Sequence, residues 1–422
     1  MHDAAPATRR PRRLGWLVVL LVVLVAVAIA VAFLSRPPRA TRLLLGAVGN
    51  TLGLQVTATS GDYRLRGTPM IDVHGVTARE PGAAKPILRA DRIVLSLPWS
   101  TIRSRGDELT IDRIELQRPV IDLAALLHWL QRRPPGKTRI PTLRRGLRVT
   151  DGTVVADAWT ISGLAVALPT LAPHRPVAAS FDGRYRGDAL QVPFALHAAL
   201  SAPATDAAIG IAGNIDVVRD GWHMPAAIVL SGHMQPMDDG WQLQHARLQA
   251  SARYEAQDVH VPFALGVGGT LQQRAGRLRL SPAAIATRGD GLVPRLDARG
   301  DVAIATTLDL HLAGTLQSWP GRWPQLPSPL DRSTTPLPFR LAYIGKADFS
   351  GPATLQLSRD AVRFDGRFRP VDIATWANAV PGHPLPPLDG HLVAPRIDIA
   401  GATLQGVDVT LDDPAVAGPA AQ

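Results

Sequence analysis

The chain has 422 residues, a formal net charge of +10 and no cysteine, which excludes disulfide bonds, thiolate metal sites and thiol nucleophiles. Residues 1–42 carry seven arginines and a single acid, Asp3, so six of the ten excess positive charges lie there. A nucleic-acid surface usually needs a concentrated basic patch, and the remaining 380 residues are nearly balanced. We therefore expect no nucleic-acid partner.

The first element along the chain is an apolar segment that starts at Leu14, includes Trp16 and ends at Leu34, without any charged residue. Its 21 residues would form a helix of about 31 Å, which matches the hydrocarbon core of a bilayer. A cleaved signal peptide would have a shorter apolar region followed by a small-residue cleavage site. We predict a transmembrane helix over residues 14–34 that is not cleaved.

The arginines around this segment indicate its orientation. Four precede it and three follow it closely, so the positive-inside rule favours a cytoplasmic N-terminus over residues 1–13. The rest of the chain would then lie on the far side of the membrane, which in a Gram-negative bacterium is the periplasm.

Residues 39–135 are predicted to form a β region with short helices. Within LTIDRIELQRPVIDL (109–123), apolar residues recur at every second position and change phase twice, which is typical of strands with breaks between them. The pattern then becomes helical in IDLAALLHWLQRR (121–133), which places Leu123, Leu126, Leu127 and Leu130 on one helical face. The prolines at 134 and 135 end this helix.

Residues 136–320 are predicted to be a β-rich middle region. Its clearest strand is DVAIATTLDLHL (301–312), in which alternate apolar residues share one face and Asp301, Asp309 and His311 the other. Six prolines between residues 319 and 338 mark a break, and residues 321–422 are predicted to form a third β region with a short helix at 371–380. The apolar set of the strand is Val302, Ile304, Leu308, Leu310 and Leu312.

Short stretches of the sequence recur. RYRGDALQVPFAL at 184–196 aligns with RYEAQDVHVPFAL at 253–265, and FDGRYR at 181–186 aligns with FDGRFR at 364–369. The spacings are irregular, which argues against a propeller or a strict solenoid. Repeated strand–turn–strand units of variable length explain the pattern better.

The motifs for chemistry are weak. Gly136-Lys137-Thr138 resembles the end of a phosphate-binding loop, but Gln131 stands where the motif needs glycine. A set of His223, Met224, His233, Met234 and Met237 could suit copper, yet its spacing closes no site, and filling of strands is the simpler interpretation. We predict no catalytic residue, no metal and no cofactor, and therefore no enzyme.

Three segments carry a resemblance to a family. LRADRIVLSLPWSTIRSRGDELTIDRIELQRPVIDL (88–123) resembles the start of AsmA-like proteins, residues 59–80 their preceding hairpin, and residues 388–413 their closing hairpins. The resemblance implies an inner-membrane anchor and a periplasmic β-rich body, often a twisted sheet with an apolar groove. It also implies a role in phospholipid movement or outer-membrane maintenance.

The expected fold is therefore mainly β, with a transmembrane helix followed by an elongated antiparallel, curved or groove-like sheet and a few short helices. Whether the apolar face is a groove or a closed core stays open at this point. If it is a groove, Val302, Ile304, Leu308, Leu310 and Leu312 would contact lipid. The alternative is a non-catalytic scaffold for envelope assembly that resembles the type II secretion system protein N and has envelope proteins as partners.

Overall fold

The computed structural model describes residues 53–64, 66–103, 110–132, 140–204, 206–237, 239–257, 259–289, 291–321, 323, 328, 333, 335–378, 386–399, 402–413 and 416. The predicted transmembrane segment, with Leu14, Trp16 and Leu34, lies outside these residues. None of the helices within the described ranges has the length and apolar character that a membrane span requires.

The chain divides into two compact units, which we call unit 1 (Met1–Asp238) and unit 2 (Asp239–Gln422). Both are mainly β in the described residues, as the alternating sequence predicts. The boundaries predicted after residues 135 and 320 fall inside these units and stay predictions.

Unit 1 contains fourteen described strands. They are β1 (Gln55–Thr57), β2 (Ser60–Arg64), β3 (Met70–Arg79), β4 (Leu88–Ser96), β5 (Thr110–Ile111), β6 (Arg113–Gln117), β7 (Val120–Asp122), β8 (Thr142–Leu143), β9 (Leu147–Val155), β10 (Thr160–Leu168), β11 (Val177–Arg186), β12 (Gln191–Leu200), β13 (Ala207–Arg219) and β14 (Trp222–Met237).

Unit 2 contains ten described strands. They are β15 (Gly240–Ala256), β16 (Val259–Arg274), β17 (Arg277–Gly289), β18 (Arg295–Ile304), β19 (Leu308–Ser318), β20 (Leu337–Gly345), β21 (Ala353–Arg359), β22 (Val362–Phe368), β23 (Leu388–Ile399) and β24 (Ala402–Leu411).

Three short helices accompany the strands in the described residues: α1 (Trp99–Arg103), α2 (Leu123–Arg132) and α3 (Pro370–Asn378). The helices predicted at 121–133 and 371–380 are α2 and α3. The Asp122 carboxylate accepts a 2.9 Å hydrogen bond from the Ala125 N–H, which caps the start of α2. Of the four leucines predicted to share a face, Leu126 and Leu130 are buried, and so is Trp129, which the leucine pattern did not include.

The sheet of unit 1 is mixed, so the expectation of an antiparallel sheet holds only in part. Strands β6 and β7 both pair parallel with β9, and β5 pairs parallel with β8. Helix α2 lies in the chain between β7 and β9, and such a crossover is what brings two strands into parallel pairing. From β9 to β14 every strand pairs antiparallel with the next.

Unit 2 is an antiparallel meander in which each strand from β15 to β24 pairs with the next. Most of its connections are short, whereas residues 319–336 connect β19 to β20 and residues 369–387, which include α3, connect β22 to β23. Between β16 and β17, Arg274 pairs with Arg277, and the two loop residues, Ala275 and Gly276, both have positive φ. This is the loop geometry that matches the twist of a hairpin.

The single strand predicted over residues 301–312 is wrong, because the segment forms a hairpin. Strand β18 ends at Ile304, the chain bends at residues 305–307, and β19 begins at Leu308. Because the loop has three residues, the apolar residues before and after it keep the same phase, so the sequence pattern does not reveal the bend.

The recurring thirteen-residue stretches form equivalent hairpins. Arg184 lies opposite Pro193 at the β11–β12 turn, and Arg253 lies opposite Pro262 at the β15–β16 turn. The tyrosine that follows each arginine faces the valine before each proline in both hairpins. The similarity in sequence therefore reflects the same register around the same turn.

The best-sealed core belongs to the first half of unit 1. It is built by β3, β4, β6 and α2, and Leu95, Ile111 and Ile114 are completely buried in it. Trp129 of α2 closes it from one side with 3 % exposure. This dense packing is the reference against which the rest of the sheet can be compared.

Candidate functional site: the apolar face of each unit

Antiparallel pairing brings a continuous apolar surface together in unit 1. Phe181 lies opposite Leu196, Leu196 opposite Gly213, and Gly213 opposite Ile228, so one row crosses β11, β12, β13 and β14. Directly opposite residues share a face of a sheet. We call the whole surface the apolar face of unit 1; it comprises every second residue of 177–185, 192–200, 207–217 and 224–234.

The reverse side of these strands carries mainly polar or small residues and is mostly open to water. Arg184, His197, Asn214 and His233 are all exposed there. The four strands therefore separate an apolar face from a wet face, with no charged side chain on the apolar one.

Most of the apolar face of unit 1 is half-buried, although Val177, Ala207 and Ala226 are buried. Phe181, Phe194, Leu196, Ile211 and Leu230 all keep an intermediate exposure. In the sealed core of the same unit, side chains of this type are completely buried, as at Leu95 and Ile114. The face is thus covered much less than a core, although its composition is that of one.

Unit 2 has a corresponding apolar face. It includes every second residue of 296–304 on β18, of 308–316 on β19 and of 337–343 on β20. Phe339 and Tyr343 are buried there, while Leu341 is half-buried. This surface therefore mixes sealed patches with open ones.

All five residues predicted to contact lipid lie on the apolar face of unit 2. Val302 lies opposite Leu310, Ile304 opposite Leu308, and Leu312 opposite Gly300. Their exposures differ: Leu308 is 9 % exposed, Val302, Leu310 and Leu312 are half-buried, and Ile304 at the hairpin end is 44 % exposed. Next to the turn at residues 305–307, the exposed Ile304 therefore lies opposite the buried Leu308.

Glycines on these faces have backbone conformations that other residues adopt only under strain. Gly213 has φ +153°, and a Cβ there would lie 2.1 Å from the Ala195 carbonyl oxygen. This region of φ is essentially reserved for glycine. Glycine kinks are a known means of curving a sheet, so we infer that Gly213 sets a bend in β13.

Ion pairs cover the polar side of unit 2. Arg288 contacts Asp297 at 2.7 Å, and Arg279 contacts Asp301 at 3.2 Å. Hydrogen bonds from Ser281 and then Arg279 hold the pKa of the Asp301 carboxyl below its ordinary value. These exposed pairs contribute little stability individually, but their charges keep this side of the sheet hydrated.

The histidines and methionines considered for copper lie along one strand, β14. His223 and His233 are ten residues apart, which is about 33 Å in an extended strand. One ion cannot bind both. Among the described residues, no group of three or more His, Cys, Asp or Glu side chains is placed to hold a metal ion.

The residues that form the apolar face of unit 1 are not among those predicted from the sequence. The signal was present in VPFALHAAL (192–200) and AAIGIAGNIDV (207–217), where apolar residues alternate with small or polar ones. Alanine and glycine on both sides of these strands weaken the alternation, because they suit either face. The pairing register, which the sequence does not reveal, identifies the face.

Comparisons with models of protein families, with curated proteins and with solved structures find no match for this chain.

Proposed function

We propose that this protein is anchored in the bacterial inner membrane and binds or moves phospholipid along its apolar faces in the periplasm, for outer-membrane maintenance. The observation that carries the proposal is the half-buried apolar face of unit 1, which lies back to back with a polar, exposed face. The resemblance of residues 59–80, 88–123 and 388–413 to AsmA-like proteins supports the same role.

The physical basis is the transfer of acyl chains from water to the apolar face. Each methylene group that is removed from water contributes about 0.8 kcal/mol, so a chain of lipid length can be held without specific polar contacts. Phe181, Leu196 and Ile211 offer this kind of surface, and the headgroup can remain in water. The proposal requires no catalytic residue and no cofactor.

A pair of aspartate substitutions on neighbouring residues tests the proposal. Leu196 lies on the apolar face, while Ala195 is exposed on the polar face of the same strand. The full chain is purified in a mild detergent, and the lipid that accompanies it is quantified by mass spectrometry. We expect Leu196→Asp to lose most of the bound phospholipid and Ala195→Asp to keep it.

Equal lipid content in both variants and in the unchanged chain would contradict this function, because lipid would then be bound elsewhere or by the detergent micelle. Circular dichroism of both variants identifies a loss of folding. If Leu196→Asp unfolds, Leu196→Ser provides a milder reduction of apolar surface at the same position.

A non-catalytic scaffold for envelope assembly, similar to the type II secretion system protein N, is the second candidate. The observation in its favour is the strand β24, whose side chains are nearly all exposed. An exposed strand edge is a surface on which another chain can add a strand. Normal phospholipid distribution but impaired protein secretion in cells that lack the protein would favour this function.

A further inference from the structure

Strand β24 forms an edge of unit 2. It pairs with β23 at nine positions, and no other strand in the described part of the chain pairs with it. An edge strand leaves a row of backbone N–H and C=O groups that another strand can satisfy.

This edge has few of the features that usually prevent such pairing. Proteins protect their edges with short strands, lysine or proline, yet β24 has ten residues and contains neither. Asp408 is its one charged residue. Leu404 is 48 % exposed and Val409 39 % exposed, which is unusual for side chains of their size.

The two exposed apolar side chains point to the same side of the sheet. Val409 lies opposite Leu392, and Leu404 lies opposite Ile397. Leu392 packs against the cluster that contains Ile397, so these two residues share a face. The pairing of β23 with β24 skips Gly406, which has φ +59° and lies between Leu404 and Val409, and an interruption of the strand at this glycine accounts for the change of phase that their odd spacing requires.

The sequence of β24 is complementary to itself. If a second β24 is placed antiparallel about a two-fold axis between residues 406 and 407, Leu404 meets Val409, Thr403 meets Thr410, and Gln405 meets Asp408. Apolar, hydroxyl and amide–carboxylate pairs of this kind stabilise neighbouring strands, and no two acids face each other. Moving the axis to Gly406 would place Asp408 against Leu404.

We propose that two copies of this chain associate edge to edge through β24 in this register. A two-fold axis between identical strands closes the assembly as a dimer and prevents open-ended growth. The dimer would join the apolar faces of two copies of unit 2 on one side. The proposal goes beyond lipid binding and does not depend on it.

Cysteine crosslinking tests the register, because the natural chain has no cysteine. Differently tagged Thr403→Cys and Thr410→Cys full chains are expressed separately and together in cells, and are treated with a short bis-maleimide. In the proposed register, residues 403 and 410 of different copies are neighbours, whereas two copies of residue 403 are about 23 Å apart. We expect a crosslinked product with both tags and little product from either variant alone.

Two substitutions of opposite charge at residue 405 test the same contact without introducing cysteines into the strand. Gln405→Glu places an acid opposite Asp408 twice in the dimer, while Gln405→Lys places a base there. Association measured by analytical ultracentrifugation should weaken about fivefold for Gln405→Glu and persist for Gln405→Lys. Gln405 is exposed and lies opposite Arg396 on β23, so the glutamate is compatible with the fold.

Three results would overturn the proposal. The first is self-crosslinking of each single variant at the level of the mixture, since it means another register. The second is a crosslink to a different protein without any crosslink between two copies of this chain, which would assign the edge to that partner. The third is the absence of any product between chains, with a monomer in the ultracentrifuge.

Discussion

Val302 of β18 lies directly opposite Leu310 of β19, and both side chains belong to the apolar face of unit 2. The sequence pattern places them on one face as well, but eight residues apart along a single strand. The hairpin at residues 305–307 turns this linear alternation into a two-strand surface. Each further hairpin widens the surface in the same way.

A crosslink within one chain distinguishes the hairpin from an extended strand. In the hairpin, the Cβ atoms of residues 302 and 310 are about 5 Å apart, whereas in one strand they would be about 26 Å apart. We expect Val302→Cys/Leu310→Cys to form an internal disulfide under mild oxidation, detected by intact mass. Val302→Cys/His311→Cys, with side chains on opposite faces, is the control and should stay reduced.

Gly213 is expected to be intolerant of a side chain. Gly213→Ala would place a methyl group against the Ala195 carbonyl in a backbone region that alanine avoids, and we expect a loss of roughly 2 kcal/mol or more in the free energy of unfolding. Gly210 lies on the same strand with open space around it, so Gly210→Ala should change stability little. Urea denaturation provides the comparison, and equal midpoints would contradict the account of Gly213.

The sealed core of unit 1 should be sensitive to truncation. Ile114→Ala removes a completely buried side chain, and the lost burial with the resulting cavity should cost about 3 kcal/mol. Val229 is 51 % exposed on the polar face, and Val229→Ala should cost less than about 0.5 kcal/mol. Guanidinium denaturation followed by circular dichroism measures both, and similar losses for the two variants would show that the core is not where we place it.

The ion pair between Asp72 and Arg92 should make unit 1 sensitive to acid. The hydrogen bond from Arg92 lowers the pKa of the Asp72 carboxyl below its ordinary value of 3.8, although partial burial opposes this. A lowered pKa in the folded state contributes stability above the unfolded pKa, and this contribution disappears as the pH falls through the folded pKa. Arg92→Met should therefore cost about 1 kcal/mol near neutral pH, discounted because Arg92 is 35 % exposed.

The pH dependence supplies the control for this pair. The difference in stability between Arg92→Met and the natural chain should shrink below about pH 4. In that range Asp72 is protonated in the unfolded state and becomes protonated in the folded state as the pH falls further. The Arg118–Asp91 pair is exposed on both sides, so Arg118→Met should have little effect at any pH. A constant difference for Arg92→Met from pH 3 to pH 7 would exclude the electrostatic explanation.

Much of the local structure follows from the sequence because alternation and helical periodicity are local signals. The breaks around Asp112 and Pro119 were predicted from the phase changes in 109–123, and they separate β5, β6 and β7. Helix α2 follows from its leucines and from the prolines after it. These features depend on neighbours in the chain and on backbone chemistry alone.

The pairing of strands that are distant in the chain could not be predicted from these local signals. The parallel pairing of β6 with β9 depends on the crossover through α2, and no residue type encodes it. The half-buried state of Phe181 and Leu196 depends on what covers the sheet, so their sequence is equally suited to a closed core. The hairpin at residues 305–307 was missed because it preserves the alternation on both sides.

Photocrosslinking in living cells is the measurement that tests lipid binding most directly. A photoreactive amino acid replaces Leu310 or Phe194 on an apolar face, or Asp309 or His197 on a polar face, in the full chain. The account predicts phospholipid adducts, identified by mass spectrometry, at Leu310 and Phe194 and none at the other two. Adducts exclusively within the protein, or equal lipid adducts on both faces, would contradict it.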